Sequence, residues 1–443
     1  MTIETPTKSQ TGTTPTASTA DGDASATSHI LGMRCRACGR PEEIGPNYVC
    51  AGCFGPLEVV YDFDVARRTL TRDAIAQRAP GIWRYLELLP VSAAPARGLA
   101  VGSTALVPAD RLANQIGLDR LWLKDDTRNP TLSFKDRVVA VAAARAVEFG
   151  FDTLACASTG NLAGATAAAA AALGLRAFVF VPSDLEPAKV DHALGYGATV
   201  VRVDGTYDDI NRLSLEIADE EGWAFVNVNL RPFYSEGSKS LAFEIAEQLG
   251  WRLPDVLVSP IASGSLFTKV AKGFDELIAV GLVEAKEVRF VGGQPEGCAP
   301  VATAFAAGTD RIEPVRRPDT IVRSLAIGSP ADGPYALDLV RRTGGSIEAI
   351  PDADTAAAIR RLAAAEGIFV ETAGGVTVAA VEAARRRGVI RDGDEVVALL
   401  TGNGVKTPDA RRFGADEADG DEIDGAPAPI AATYEAFASR YAS

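Results

Sequence analysis

The sequence predicts an α/β protein with a largely parallel sheet, and three observations carry that prediction. Between residues 101 and 411, short β-branched runs alternate with Ala-rich helical stretches. The 443 residues are 47% hydrophobic and 23% charged, which is the usage of a folded globular chain. At ~150 residues per domain, that length suggests about three units. Finally, no repeat of solenoid period is present.

Taken in order, residues 1–30 are rich in Thr, Ser and Ala and read as a disordered tail. They have no basic head followed by an apolar core, so they are not a secretory signal, and a cytoplasmic protein is expected. Residues 31–63 form a compact unit rich in Cys, Gly and Pro. Residues 64–100 read as a linker carrying a Trp83, Tyr85, Leu86 cluster. Strands are expected at Leu121–Leu123, Thr153–Cys156, Ala177–Val181, Thr199–Val203, Val256–Val258, Val288–Val291 and Val396–Leu400. Helices are expected over 135–149, 162–173, 208–221, 237–249, 265–279 and 373–387. Residues 412–428 are acidic and rich in Gly and Pro, a solvated linker, and 429–443 can close the chain as a short amphipathic helix.

The net charge of −14 repels phosphate backbones at long range and argues against general nucleic-acid binding. No run approaches the ~20 apolar residues of a membrane span. Only nine of the 44 basic residues are lysine. Each lysine in an apolar context therefore needs a reason.

Four of the six cysteines, Cys35, Cys38, Cys50 and Cys53, fall in a C-x2-C-x11-C-x2-C pattern. Each C-x2-C turn can aim two thiolates at one ion, and glycines after the cysteines ease the knuckle turns. Four thiolates complete the tetrahedral shell of a structural Zn²⁺. The alternatives are four reduced thiols or two disulfides. Arg34, Arg36 and Arg40 near the unit are balanced by Glu42, Glu43 and Glu58, which favours docking onto the rest of the chain over nucleic-acid contact.

Four segments carry chemistry. In Asn129-Pro130-Thr131-Leu132-Ser133-Phe134-Lys135-Asp136-Arg137 a strand turns into a helix, with Ser133 a candidate N-cap. Lys135 falls in the first helical turn, where the helix dipole and loss of water lower a lysine's pKa and suit it to a Schiff base and to proton transfer. Taken alone, a surface lysine paired with Asp136 explains it as well. The second segment, Ser158-Thr159-Gly160-Asn161, opens an Ala-rich helix whose amides can hold an anion. The third, Ala262-Ser263-Gly264-Ser265-Leu266, is a small-residue turn able to close around a phosphate. The fourth, Thr401-Gly402-Asn403-Gly404-Val405-Lys406, sits at the carboxyl end of a strand, where α/β folds keep ligands.

In this order, Ser-Phe-Lys-Asp-Arg, Ser-Thr-Gly-Asn, the small-residue loop, Glu371-Thr372-Ala373-Gly374-Gly375 and Thr401-Gly402-Asn403-Gly404 resemble the fold-type-II pyridoxal phosphate enzymes, whose fold is tryptophan synthase β-like. Within them the sequence is similar to the threonine synthase family, one branch of which also carries an N-terminal four-Cys unit. The likeness covers residues 31–411. The loop departs from the Gly-Asn-x-Gly-Asn common in that family.

The resemblance implies that Lys135 holds pyridoxal 5'-phosphate as a Schiff base and serves as the base. Asn161 would face the cofactor's 3-hydroxyl oxygen. Ala262, Ser263, Gly264, Ser265 and Leu266 would cradle its phosphate, and Thr401 would meet the ring nitrogen. Ser158, Thr159 and Gly160 would bind substrate. Asn229 and Arg231 are candidates for the substrate phosphate, with Lys239 a weaker third. For Arg231 an ion pair with Glu236 is an equal alternative. The cofactor would lie between a larger domain (101–148 plus 232–411) and a smaller one (149–231). The expected reaction converts O-phospho-L-homoserine and water to L-threonine and phosphate, in a possible homodimer. The competing readings are β-replacement on a phosphoserine-type substrate, as in cysteate or cysteine synthase, and a non-catalytic cofactor-binding relative.

Overall fold

The computed structural model describes residues 29–158, 160–183, 191–204, 207–412 and 430–441. Residues 1–28 of the expected tail, nearly all of the acidic 412–428 linker, and Thr159 lie outside the described residues; Ile30 instead begins a strand.

Among the described residues, thirteen strands form three sheets. They are β1 (Ile30–Cys35), β2 (Pro41–Glu42), β3 (Leu57–Tyr61), β4 (Leu106–Pro108), β5 (Arg120–Asp125), β6 (Thr153–Ala157), β7 (Arg176–Pro182), β8 (Thr199–Val203), β9 (Ala224–Phe225), β10 (Val256–Pro260), β11 (Arg289–Pro295), β12 (Ser346–Ile350) and β13 (Glu395–Leu400). The largest sheet runs β12-β11-β10-β13-β5-β4. Every pair in it is parallel except the β4–β5 edge. A second sheet, β8-β7-β6-β9, is wholly parallel. Parallel strands need covering helices on both faces, and β10 and β13 are accordingly buried at every residue. The third sheet, β2-β1-β3, is antiparallel and belongs to the four-cysteine unit.

Two expectations change. Residues 64–100 are not a loose linker. They hold helices Phe63–Thr69 and Arg72–Gln77 and a 3₁₀ turn Ile82–Leu88. Ile82, Tyr85, Leu88, Leu89 and Val91 are fully buried in the core of the largest sheet. The Tyr85 ring lies 5.3 Å from that of Phe243, and its hydroxyl donates to Glu247. The aromatic cluster is thus a packing device.

The helix expected over 237–249 forms as Lys239–Gln248, and a further short helix outside the expected set, Arg231–Glu236, precedes it. At the break, a Cβ on Gly237 would lie 2.4 Å from the Arg137 carbonyl oxygen. Only glycine lets this segment press against the lysine-bearing helix Lys135–Glu148. At the far end, helix Tyr434–Tyr441 forms within the expected C-terminal segment.

Candidate active site

The carboxyl end of β5 turns into helix Lys135–Glu148 through a braced loop. The expected N-cap role of Ser133 is not met: the helix opens at Phe134 with no side-chain cap, and the Ser133 hydroxyl is buried without a hydrogen-bond partner. Asp136 organises the loop instead. It accepts from the Thr131 amide and the Thr131 hydroxyl, both at 2.7 Å. Leu132 adopts φ +61°, uncommon for a branched residue and a mark of local strain of the kind found at functional sites.

The neighbouring loop from β13 is stitched to this turn. The Thr401 carbonyl accepts from the Phe134 amide (2.9 Å), the Asn403 amide donates to the Leu132 carbonyl (3.0 Å), and the Glu371 amide donates to the Gly402 carbonyl (3.0 Å). A Cβ on Gly402 would sit 2.2 Å from Glu371 Oε1, so the carboxylate lies directly over the glycine. These bonds place Lys135, Thr401 and Glu371 in one locality.

Lys135 Nζ lies 3.0 Å from the Tyr234 hydroxyl and 4.8 Å from the centre of the Phe134 ring. Asn161, the first residue of helix Asn161–Leu173, donates from Nδ2 to both Glu371 oxygens at 3.0 and 2.9 Å. Its Oδ1 accepts from Lys406 Nζ at 2.7 Å. Burial raises the pKa of Glu371 and lowers that of Lys406. Ser158 and Gly160 precede this helix, with the Gly160 amide donating to Ser158 Oγ (3.3 Å).

The small-residue loop follows β10. Gly264 takes φ +92° and opens helix Ser265–Ala279 without a side-chain cap. Such a helix start presents unpaired amides to an anion. Ala262, Ser263 and Ser265 are partly exposed, whereas Gly264 and Leu266 are buried.

Two sequence-based candidates turn out to be structural. Asn229 closes a turn: its Oδ1 accepts from the Phe225 amide (2.8 Å) and its Nδ2 donates to the Trp223 carbonyl (2.9 Å). Its oxygen and one of its two amide hydrogens are thus engaged by backbone. Lys239 is fully buried between Glu236 (2.6 Å) and Glu276 (2.7 Å). Arg231 does not pair with Glu236. It donates to Asp332 at 2.9 Å and is only partly buried.

The site also gathers residues to which the sequence alone assigns no role: Tyr234, Glu371, Lys406 and Asp332. Lys406 closes the Thr401–Lys406 segment and is one of the scarce lysines, a usable signal. Tyr234 and Asp332 carry no motif. Cys156 is a buried thiol beside the site helix, its pKa pushed up to about 12 by burial, consistent with an apolar packing role.

In the N-terminal unit the four cysteine sulfurs all lie within 4.8 Å of one another. Cys35 and Cys53 are 3.5 Å apart and Cys38 and Cys50 3.8 Å. A disulfide requires about 2.05 Å.

Residues 98–402 match the family described as pyridoxal-phosphate dependent enzyme. The chain belongs to that family. It is 34% identical to a threonine synthase from Methanocaldococcus jannaschii over 387 residues, covering 87% of this chain and 95% of the relative. It is 35% identical to a threonine synthase from Methanosarcina acetivorans, covering 85% and 92%. Within the pyridoxal-phosphate enzymes it therefore groups with the threonine synthases. Among solved structures, a fungal L-serine ammonia-lyase from Rhizomucor miehei superposes with a TM-score of 0.60 at 20% identity, over 70% of this chain and 98% of that one. That likeness establishes the fold. The family's cofactor is pyridoxal phosphate, and the residues fit it. An amine stands at a strand-to-helix turn beside a buried, unpartnered Ser133 hydroxyl, and a glycine-opened helix start can receive a phosphate. Among the described residues no helix is long and apolar enough to cross a membrane.

Proposed function

We propose that this site converts O-phospho-L-homoserine and water into L-threonine and phosphate. The observation that carries the proposal is the similarity to threonine synthases across nearly their whole length. Pyridoxal phosphate, when bound, supplies an electron sink for carbanion chemistry. The chain's own residues supply the rest.

Lys135 Nζ would hold the cofactor and would move protons at the substrate carbons. The Tyr234 hydroxyl at 3.0 Å orients that amine and gives its proton a partner. Asn161 would face the cofactor's ring oxygen and Thr401 its ring nitrogen, while 262–266 would receive its phosphate. Ser158, Thr159 and Gly160 receive the substrate carboxylate, and Arg231 its phosphate. The domain carrying β6–β9 closes on the larger one and excludes water from the reacting carbons.

The four cysteines hold Zn²⁺ as a closed structural site. Their spacings support this, because tetrahedral Zn–S bonds of about 2.3 Å put sulfurs about 3.8 Å apart.

The test is incubation of purified protein with O-phospho-L-homoserine, following phosphate and threonine together. Equal release supports the reading. Phosphate without threonine moves the enzyme to the β-replacement class. Neither product, in protein that keeps its Schiff-base absorbance, overturns the substrate assignment.

A further inference from the structure

A cavity lies between the four-cysteine unit and the start of helix Arg231–Glu236, lined by Arg36, Tyr48, Arg231, Ser235, Lys269 and Asp332. Two guanidinium groups converge there on one carboxylate. Arg36 Nη1 donates to Asp332 Oδ1 at 2.8 Å, and Arg231 Nη2 donates to Asp332 Oδ2 at 2.9 Å. Arg36 is stacked on Tyr335, its guanidinium carbon 3.6 Å from the ring centre, which fixes the plane of its donors. Glu58 stands 4.0 Å from Arg36 Nε and is engaged more closely by Lys269 at 2.7 Å. Lys269 is also bound to Glu236 at 2.6 Å and adds no free charge. Within the Arg36–Asp332–Arg231 trio, one carboxylate leaves one guanidinium charge uncompensated.

The cavity is flanked by the reaction machinery on both sides. The Asp332 amide donates to the Ser263 carbonyl at 2.8 Å, so the carboxylate is tied to the cofactor-phosphate loop. Arg231 lies one helical turn before Tyr234, the hydroxyl partner of Lys135. Arg36, by contrast, sits between Cys35 and Cys38 in the first cysteine knuckle.

We propose that the four-cysteine unit is part of the substrate site. Arg36 joins Arg231 in seating the phosphate ester of the substrate. Asp332 holds both guanidinium groups in register until the dianion takes their donors. Planar forks suit this task, since each can give a phosphate two parallel charge-assisted hydrogen bonds. The inference rests on the reading above for the identity of the ester and on geometry alone for the anion seat.

The test measures inorganic phosphate binding to the holoenzyme by calorimetry, in the wild type and in R36A, R36K and R231A, beside KM and kcat for O-phospho-L-homoserine. Cofactor absorbance and the thermal midpoint are recorded for each variant. Loss of a charge-assisted contact predicts that R36A weakens phosphate binding about tenfold or more. The same loss should appear in KM rather than in kcat. R36K should recover part of both. Normal phosphate affinity in R36A overturns the seat whether or not the wild type turns over. A fall in affinity that merely follows lost cofactor overturns it too, reducing Arg36 to a structural residue. Weaker phosphate binding with unchanged KM overturns the assignment to the substrate ester. If the wild type binds phosphate through Arg36 but releases no threonine, the anion seat stands and the proposed reaction fails.

Discussion

Gly264 offers a direct test of how the cofactor is held. Its φ of +92° lies in the left-handed region, and a Cβ there would stand 2.8 Å from both the carbonyl carbon and the oxygen of Asp332. Those are backbone atoms, pinned by the Asp332 amide's bond to Ser263, and they cannot rotate away. An L-residue in this conformation costs ~1–2 kcal/mol before any contact is counted. That strain is relieved when the loop leaves its phosphate-ready shape, so it appears as lost cofactor affinity. At 1.4 kcal/mol per decade, Gly264→Ala should weaken pyridoxal phosphate about five- to thirtyfold, and more once the clash is included. Gly281 is the control. It also has a positive φ, +78°, but a methyl group there would meet nothing within 4 Å. Gly281→Ala should cost about 1 kcal/mol of stability and leave cofactor affinity alone. Titration of the apoprotein with pyridoxal phosphate, read by visible absorbance and Trp fluorescence, measures both variants. Wild-type affinity in Gly264→Ala would refute the placement of the cofactor phosphate on this loop.

Arg137 is fully buried and donates to Asp126 at 2.7 and 2.9 Å and to Glu244 at 2.7 and 2.8 Å. Arg137→Met strands those carboxylates, and denaturant unfolding should show a loss of about 3–5 kcal/mol; a loss below about 1 kcal/mol would contradict it. Acid should loosen the fold through Glu58 and Glu244. Burial by itself would raise both, but Lys269 and Lys272 around Glu58, and Arg137 and Lys124 around Glu244, outweigh it and hold each at about 2. Depressed carboxylates contribute stability above their ordinary value of about 4.3, and that contribution drains as the pH falls toward 2. The thermal midpoint should therefore drop across that window, and a flat profile would be inconsistent with these pairs. Protein from zinc-replete growth should carry one zinc ion per chain, and Cys38→Ser together with Cys50→Ser should abolish it. Metal-free wild-type protein by elemental analysis would rule the site out.

Strands and helices were legible wherever local chemistry spoke alone. Strand Thr199–Val203 and helix Ser265–Ala279 form over the stretches their residues predict. Strand Ser346–Ile350 escaped because Ser346 and Glu348 look solvent-facing. In the fold both are buried, bonded to each other at 2.6 Å, with Glu348 also meeting Arg387. Similarly, Lys135, Asn161, the 262–266 loop and Thr401 could be proposed as candidates because each stands at a strand-to-helix turn, where helix dipoles and strand ends collect ligands. Tyr234 and Asp332 could not be read, since their meaning comes from contacts across the chain: Tyr234 meets Lys135 over 99 residues, and Asp332 meets Arg36 over 296. Asn229 misled for the opposite reason. An asparagine beside a candidate arginine suits a phosphate ligand, but the amide serves its own turn.

The scarce lysines acquire their reason at the seam of the cysteine unit. Glu236, fully buried, accepts from Lys239 and Lys269 at 2.6 Å, from Lys272 at 3.0 Å and from the Tyr61 hydroxyl at 2.9 Å. Glu58 and Tyr61 come from β3 of the cysteine unit, and the rest from three helices of the main body. With Glu276 included, three carboxylates face three ammonium groups. Such a cluster adds little net stability, because desolvating six charges offsets most of their attraction. Its effect is directional. Each ion needs a partner at hydrogen-bond distance, so the unit satisfies the cluster in one orientation, whereas an apolar seam would tolerate sliding. The helix that carries Glu236 also carries Tyr234 and Arg231. Fixing the cysteine unit against Glu236 therefore fixes the hydroxyl beside Lys135 and brings Arg36 to Asp332, which ties the first cysteine knuckle to Lys135 through a single helix.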